Sequence, residues 1–146
     1  MAYFFHSGRK PSALHQLKIL RNRMITMVKR FTLPKISRLC QNKSFQAVYR
    51  SGKSYANKNL VVYVLPNKSA NRRIGFAAGK RLGSAVVRNR VKRLLREAYR
   101  LNQDKFIAGV DLVIVGRQPL IKAKLPQVIK SFLELGAKAR IMVEKL

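Results

Sequence analysis

Six side chains between positions 88 and 96 can each donate hydrogen bonds to an anion: Arg88, Asn89, Arg90, Lys92, Arg93 and Arg96. A guanidinium presents two donors in a fixed fork that fits a phosphate, and an ammonium adds a compact charge. The chemistry such a run can do is binding rather than bond breaking. Groups for acid–base, nucleophilic or metal-assisted catalysis are missing around it. The two histidines, His6 and His15, lie far upstream. Asp104 and Asp111 flank a loop, with no second acid pair to hold metal ions for phosphodiester hydrolysis. No Cys/His cluster has metal-ligand spacing. Cys40 follows Leu39 and reads as a small packing residue. A lone cysteine forms no intramolecular disulfide, which suits a reduced compartment such as the cytoplasm.

Charge extends the same theme to the whole chain. Lys and Arg number 32 against 5 Asp and Glu, a formal +27. The acids are Glu97, Asp104, Asp111, Glu134 and Glu144, so none precedes position 97. A solvated surface usually mixes both signs, and one built this way repels itself until a polyanion neutralises it. Nucleic acid is the first candidate, anionic membrane the second and an acidic protein the third. No apolar run approaches the roughly 18 residues of a membrane span.

The element that must position the six donors is a helix from about Ser84 to Asn102. At about 100° per residue, Val87, Val91, Leu94, Leu95, Ala98, Tyr99 and Leu101 gather on one side, to pack on a sheet. Arg88, Lys92 and Arg96 climb the edge of that stripe in steps of four, and Asn89, Arg93 and Arg100 fill the next face. Glu97 can pair with Arg93 one turn back. Gly79-Lys80-Arg81-Leu82-Gly83 leads in, and the helix N-terminus adds amide donors for a phosphate.

The remaining segments supply a scaffold. Leu39, Phe45, Val48 and Tyr49 sit at helical spacing, with Asn42 or Ser44 as cap and Gly52 as stop. On the residues alone, Phe45 and Tyr49 read as core. Ser54–Ala56 suits a short edge strand. Leu60–Leu65 is a strand ended by Pro66, and Arg72–Gly79 reads as its antiparallel hairpin partner across a turn at 67–71. Tyr63 lies inside the first strand, so register decides its side. Gly75 and Gly79 leave room for something to approach the backbone, or mark bulges. Val110–Gly116 is a buried strand. Leu125, Val128, Ile129, Phe132 and Leu133 give a last amphipathic helix, which Gly136 kinks or ends. The order α-β-β-β-α-β-α is α+β, in one domain over 36–146. Residues 1–35 are basic and acid-free. They read as an unstructured extension or as a misassigned start, with Met24 and Met27 as alternative starts, in preference to a transit peptide.

The run Gly83-Ser84-Ala85-Val86-Val87-Arg88-Asn89-Arg90-Val91-Lys92-Arg93-Leu94-Leu95-Arg96-Glu97 resembles the "RNR" signature of the protein subunit of bacterial ribonuclease P. The likeness extends over about 36–143. It includes Phe45-Gln46-Ala47-Val48-Tyr49-Arg50-Ser51-Gly52-Lys53, the strand with Tyr63, Ile74-Gly75-Phe76 and Lys80-Arg81.

The resemblance implies a mixed sheet with a left-handed βαβ crossover, which the usual handedness rule would not suggest. It implies a binding subunit of an endoribonuclease that removes the 5′ leader from precursor tRNA, with the active site and its magnesium ions held by a catalytic RNA. Arg88, Asn89, Arg90, Lys92, Arg93 and Arg96 would then face the catalytic RNA. Phe45, Tyr49 and Tyr63 would line a cleft where rings stack on unpaired leader bases, which reverses the core reading of the first two. Lys53, Arg73 and Lys80 would add charge near it. A structural RNA-binding protein of the ribosomal kind is the alternative that charge, size and fold class allow.

Overall fold

The computed structural model describes residues 12–18 and 32–143. The chain divides into two units, Met1–Thr32 and Leu33–Leu146. In the first, residues 13–18 are helical and exposed. The second holds three α-helices, α1 (Asn42–Ser51), α2 (Ala85–Asn102) and α3 (Leu125–Lys138), and four strands, β1 (Lys53–Ala56), β2 (Leu60–Pro66), β3 (Arg73–Ala78) and β4 (Val110–Gly116). The element order is the α-β-β-β-α-β-α read from the sequence.

The expected β2–β3 hairpin does not form. The sheet order is β1-β2-β4-β3, with β4 antiparallel to β2 and parallel to β3. The reason lies in β4. Its near-continuous apolar run is covered on both faces, which is the environment of a central strand. The turn after β2 reaches over β4 instead of folding back: Asn67 N donates to Gly109 O at 2.8 Å, and Asn67 Nδ2 donates to Asp111 Oδ1 at 2.7 Å. β3, α2 and β4 therefore form a parallel βαβ unit, and β3 takes the edge.

Alternation along the strands makes two different faces. Leu60, Val62, Val64, Ile74, Leu112 and Ile114 point to one, and α2 and α3 cover it with Val91, Leu95, Tyr99, Val128, Phe132 and Leu135. On the other face a smaller cluster joins Val113 to Leu39 and Val48, with Phe45, Tyr63, Leu65 and Val115 partly buried around it. Full burial of one such aliphatic side chain stabilises by about 1.5–3 kcal/mol. Val48 of α1 and Leu39 just ahead of it thus anchor the helix on the sheet, while its aromatics stay half open.

Several local expectations shift. Leu39 precedes α1 rather than opening it, and its N donates to Ile74 O at 2.8 Å, tying the entry to β3. Asn42 and Ser44 lie inside α1, and the N-cap position falls to Gln41 without a side-chain cap bond. Ser84 does cap α2, accepting from Val87 N. In α2, Leu101 is exposed and Asn102 is buried in its place, donating from Nδ2 to Ala98 O at 2.8 Å.

Gly136 neither kinks nor ends α3, which runs on to Lys138. It is a contact point: a Cβ there would stand 2.7 Å from Phe106 Cε1. Phe106 is wedged against Phe132 and Tyr99, at ring-centroid distances of 4.7 and 6.3 Å. Gly136→Ala should gain about 1 kcal/mol of helix propensity and lose about 1–3 kcal/mol to overpacking, for a net loss in urea unfolding. A net gain would mean that the Phe106 ring moves aside freely.

Candidate nucleic-acid interface

The cationic helix is built as its periodicity requires. Val91, Leu95, Ala98, Tyr99 and Asn102 are buried, while Asn89, Arg90, Arg93 and Arg96 are exposed and Arg88 and Lys92 half-buried at the stripe's edge. Two residues apart on a helix means about 160° apart around its axis, so Arg88 and Arg90 flank the buried stripe on opposite sides. Arg96 lies 5.8 Å over the Phe76 ring, at the β3 side. Arg96 also joins Arg90 and Arg93 in lining a concavity of about 460 Å³, with Leu94, Glu97 and Leu125 of α3. The charged face therefore runs from the sheet edge across to α3.

Little of this charge is neutralised from within. Glu97 pairs with Arg100, not with Arg93 as expected, and accepts from Arg100 Nε at 3.1 Å. That hydrogen bond holds the Glu97 carboxyl below the usual glutamate value. The pair's small contribution is therefore present above the ordinary glutamate pKa and is lost as pH falls through the lowered one. Arg93 thus stays available to a partner. Arg88 carries the clearest unspent capacity, since its Nε is buried without a hydrogen-bond partner among the described residues.

The three aromatics expected in a cleft do converge. Tyr49 meets Tyr63 edge-to-face at 5.0 Å, and Phe45 lies 6.5 Å from Tyr49. Tyr49 is 36% exposed, and Phe45 and Tyr63 are half-buried. Register sets the side of Tyr63, which pairs with Val113 on the α1 face. Gly75 supplies the space for Phe45: a Cβ there would stand 2.6 Å from two atoms of that ring. The room foreseen at Gly75 is taken by Phe45, whereas Gly79 has nothing within 4 Å. Burial first, and then the neighbouring Tyr63, pushes the Tyr49 phenol above its ordinary value. It therefore remains a neutral donor through the physiological range.

The three outlying cations separate. Arg73 falls on the same sheet face as Tyr63, by its pairing with Asp111, but its fork is occupied. Nε and an Nη donate to the two Asp111 oxygens at 2.9 and 2.6 Å, with the carboxylate side chain 6% exposed. It brings a paired charge to this face. Lys53 is exposed at the start of β1, where it pairs with Val64, while Ser54 is the residue opposite Tyr63; Lys53 thus falls on the other face of the sheet from Tyr63. Lys80 is exposed in the 3-10 turn Lys80–Leu82 that leads into α2.

Two neighbours were not foreseen. Asp111 fixes Arg73, and its signal in the sequence is an acid inside an apolar strand, which demands a buried partner. Arg72 donates to Tyr99 Oη at 2.6 Å, to Ile107 O at 3.1 Å and to the Phe106 and Gln103 carbonyls, so it clamps the C-terminal end of α2. Among the described residues no three of His, Cys, Asp or Glu come together to hold a metal, and no helix is long and apolar enough to cross a membrane. What this arrangement can do is bind: phosphates along α2, and unstacked bases against the ring cluster.

Comparison with known proteins gives one answer. The family model described as Ribonuclease P matches residues 33–140. The ribonuclease P protein component of Alkaliphilus oremlandii is 40% identical over 107 residues, covering 73% of this chain and 94% of that protein. That of Clostridioides difficile is 42% identical over 106 residues, covering 72% and 93%. The RNase P protein of Staphylococcus aureus superposes with a TM-score of 0.66 at 32% identity, over 73% of this chain and 98% of that one. The Thermotoga maritima protein does so with 0.64 at 28% identity, over 74% and 98%. In sequence and in fold, the chain belongs to the family of ribonuclease P protein components.

Proposed function

We propose that this protein is the binding subunit of ribonuclease P, which removes the 5′ leader from precursor tRNA in the cytoplasm. α2 docks the catalytic RNA through Arg88, Asn89, Arg90, Lys92, Arg93 and Arg96. The cleft between α1 and the sheet holds the leader on Phe45, Tyr49 and Tyr63. Lys80 extends the docking surface at the head of α2. Lys53 adds charge at the β1 edge, and Arg73 serves the cleft as a brace held by Asp111. The observation that carries this division is spatial: the rings sit on one face of the sheet and the cationic helix covers the other.

The donor set of the described residues does not suit a metal site, so the magnesium that phosphodiester cleavage uses is assigned to the RNA. The protein's part is to bind, align and neutralise. Residues 36–146 form the working domain, and 1–35 are an extension or lie ahead of the true start. Sequencing the N-terminus of the natural protein decides between these two.

Adding the protein to the catalytic RNA at low magnesium tests the function. Faster precursor cleavage is expected, because the protein's cations take over screening that magnesium otherwise supplies. No gain in cleavage would favour a structural RNA-binding protein of the ribosomal kind.

A further inference from the structure

A second cavity, of about 640 Å³, opens on the far side of the α3 N-terminus from the groove at Arg90. It lies between the β1–β2 turn and α3. Lys58, Lys122 and Lys130 line it, over a floor of Asn59 and Ser131. The floor is locked in place. Asn57 Nδ2 donates to Ser131 O at 3.2 Å, Asn59 Nδ2 to Ser131 Oγ at 2.6 Å, and an Arg117 Nη to Asn57 O at 2.8 Å.

Its polar capacity is unspent. The three lysines are exposed and, among the described residues, make no ion pair, and Asn59 Oδ1 accepts no hydrogen bond from them, so both remain open to a ligand. Among the lining residues Glu134 is the one acid. Three ammoniums around a pre-set polar floor suit phosphate oxygens. The two acceptors, Glu134 and Asn59 Oδ1, suit the amino hydrogens of a base, which a bare phosphate lacks.

Continuity identifies the occupant. Leu125 lines the groove with Arg90 and Arg93, while Ala123 and Gln127, two residues to either side, line this cavity. The first turn of α3 is the wall between two cationic concavities. A strand lying along α2 would cross that turn into the second one. We infer that the cavity lined by Lys58, Lys122 and Lys130 is a second docking site for the catalytic RNA, taking a nucleotide next to the segment bound by α2. This inference rests on the reading of α2 as the docking helix.

The test uses the full chain and its catalytic RNA, titrated at several salt concentrations. Lys58→Gln, Lys122→Gln and Lys130→Gln are combined in one variant. A control variant neutralises Lys35, Lys68 and Lys138, three exposed lysines outside the cavity. Each lost phosphate contact lowers the salt slope by about 0.7–0.9, so the cavity variant should lose about 2 from the slope and roughly 10- to 100-fold in affinity at moderate salt. The control should lose less than half of either. Footprinting should show freed nucleotides distinct from those freed by Arg88→Ala/Arg90→Ala. Equal effects of cavity and control variants overturn the site. So does a cavity variant that assembles normally but binds precursor tRNA weakly. If Arg88→Ala/Arg90→Ala also leaves assembly intact, the docking role of α2 falls with it. If that variant alone weakens assembly, only the cavity falls.

Discussion

Tyr49→Ala should weaken binding of precursor tRNA to the assembled enzyme by about 1–3 kcal/mol, roughly 5- to 150-fold, and leave mature tRNA binding unchanged. Phe45→Ala should act in the same direction. The difference between the two ligands is the leader, so a loss confined to the precursor places these rings on it. Equal losses for both ligands would remove them from the leader path. Tyr49→Phe sharpens the test. The ring carries stacking and the hydroxyl does not, so this variant should bind nearly as the wild type. A loss as large as that of Tyr49→Ala would mean that a hydrogen bond, not a stack, holds the leader.

The two rings are not equivalent. Tyr49 is 36% exposed and leans edge-on against Tyr63. Phe45 is half-buried and sits over the bare backbone of Gly75, so it also supports α1. Truncating a buried phenylalanine costs about 3–5 kcal/mol of stability, and Phe45 should show part of that. Its affinity loss is therefore read as the precursor-minus-mature difference, in which a global loss of folded protein cancels. Tyr49 gives the cleaner number.

How far these features could be read from the sequence depends on whether local pattern or pairing decides them. The face of α2 followed from helical geometry, because a 100° step fixes which residues share a side. Its margins did not: Leu101 stays out and Asn102 goes in, because Asn102 can satisfy its amide on Ala98 O inside the helix. The strands were legible as strands, but not their order. Two apolar runs joined by a short turn look like a hairpin, and what prevents one here lies some forty residues downstream. β4 is apolar on both faces and takes the centre, and Asn67 reaches across to Asp111 to let it in. The same long-range pairing removed Arg73 from the free cations. The convergence of Phe45, Tyr49 and Tyr63 depended on register and on Gly75. The residues alone left the two helix aromatics as core, and it took the family likeness to move them into a cleft.

Arg88→Ala/Arg90→Ala should weaken assembly with the catalytic RNA by about 3 kcal/mol, roughly 100-fold, if each arginine supplies one charge-assisted phosphate contact. The slope of affinity against salt should fall by about 1.5–2. An unchanged slope would mean that both side chains are solvated. The two arginines flank the buried stripe on opposite sides, so their contacts should be separable. Each single variant should take away about half of the slope change. Stability should move the other way at Arg88. Its Nε is buried without an acceptor among the described residues, and burying an unpaired donor costs about 1–3 kcal/mol. Arg88→Ala should therefore leave the free protein at least as stable in urea, while Arg90→Ala, at an exposed position, should change it little. A variant that unfolds more easily would assign Arg88 to holding the fold. One that is equally stable but binds poorly would mean that the fold keeps this unpaired donor for an acceptor that arrives with the RNA.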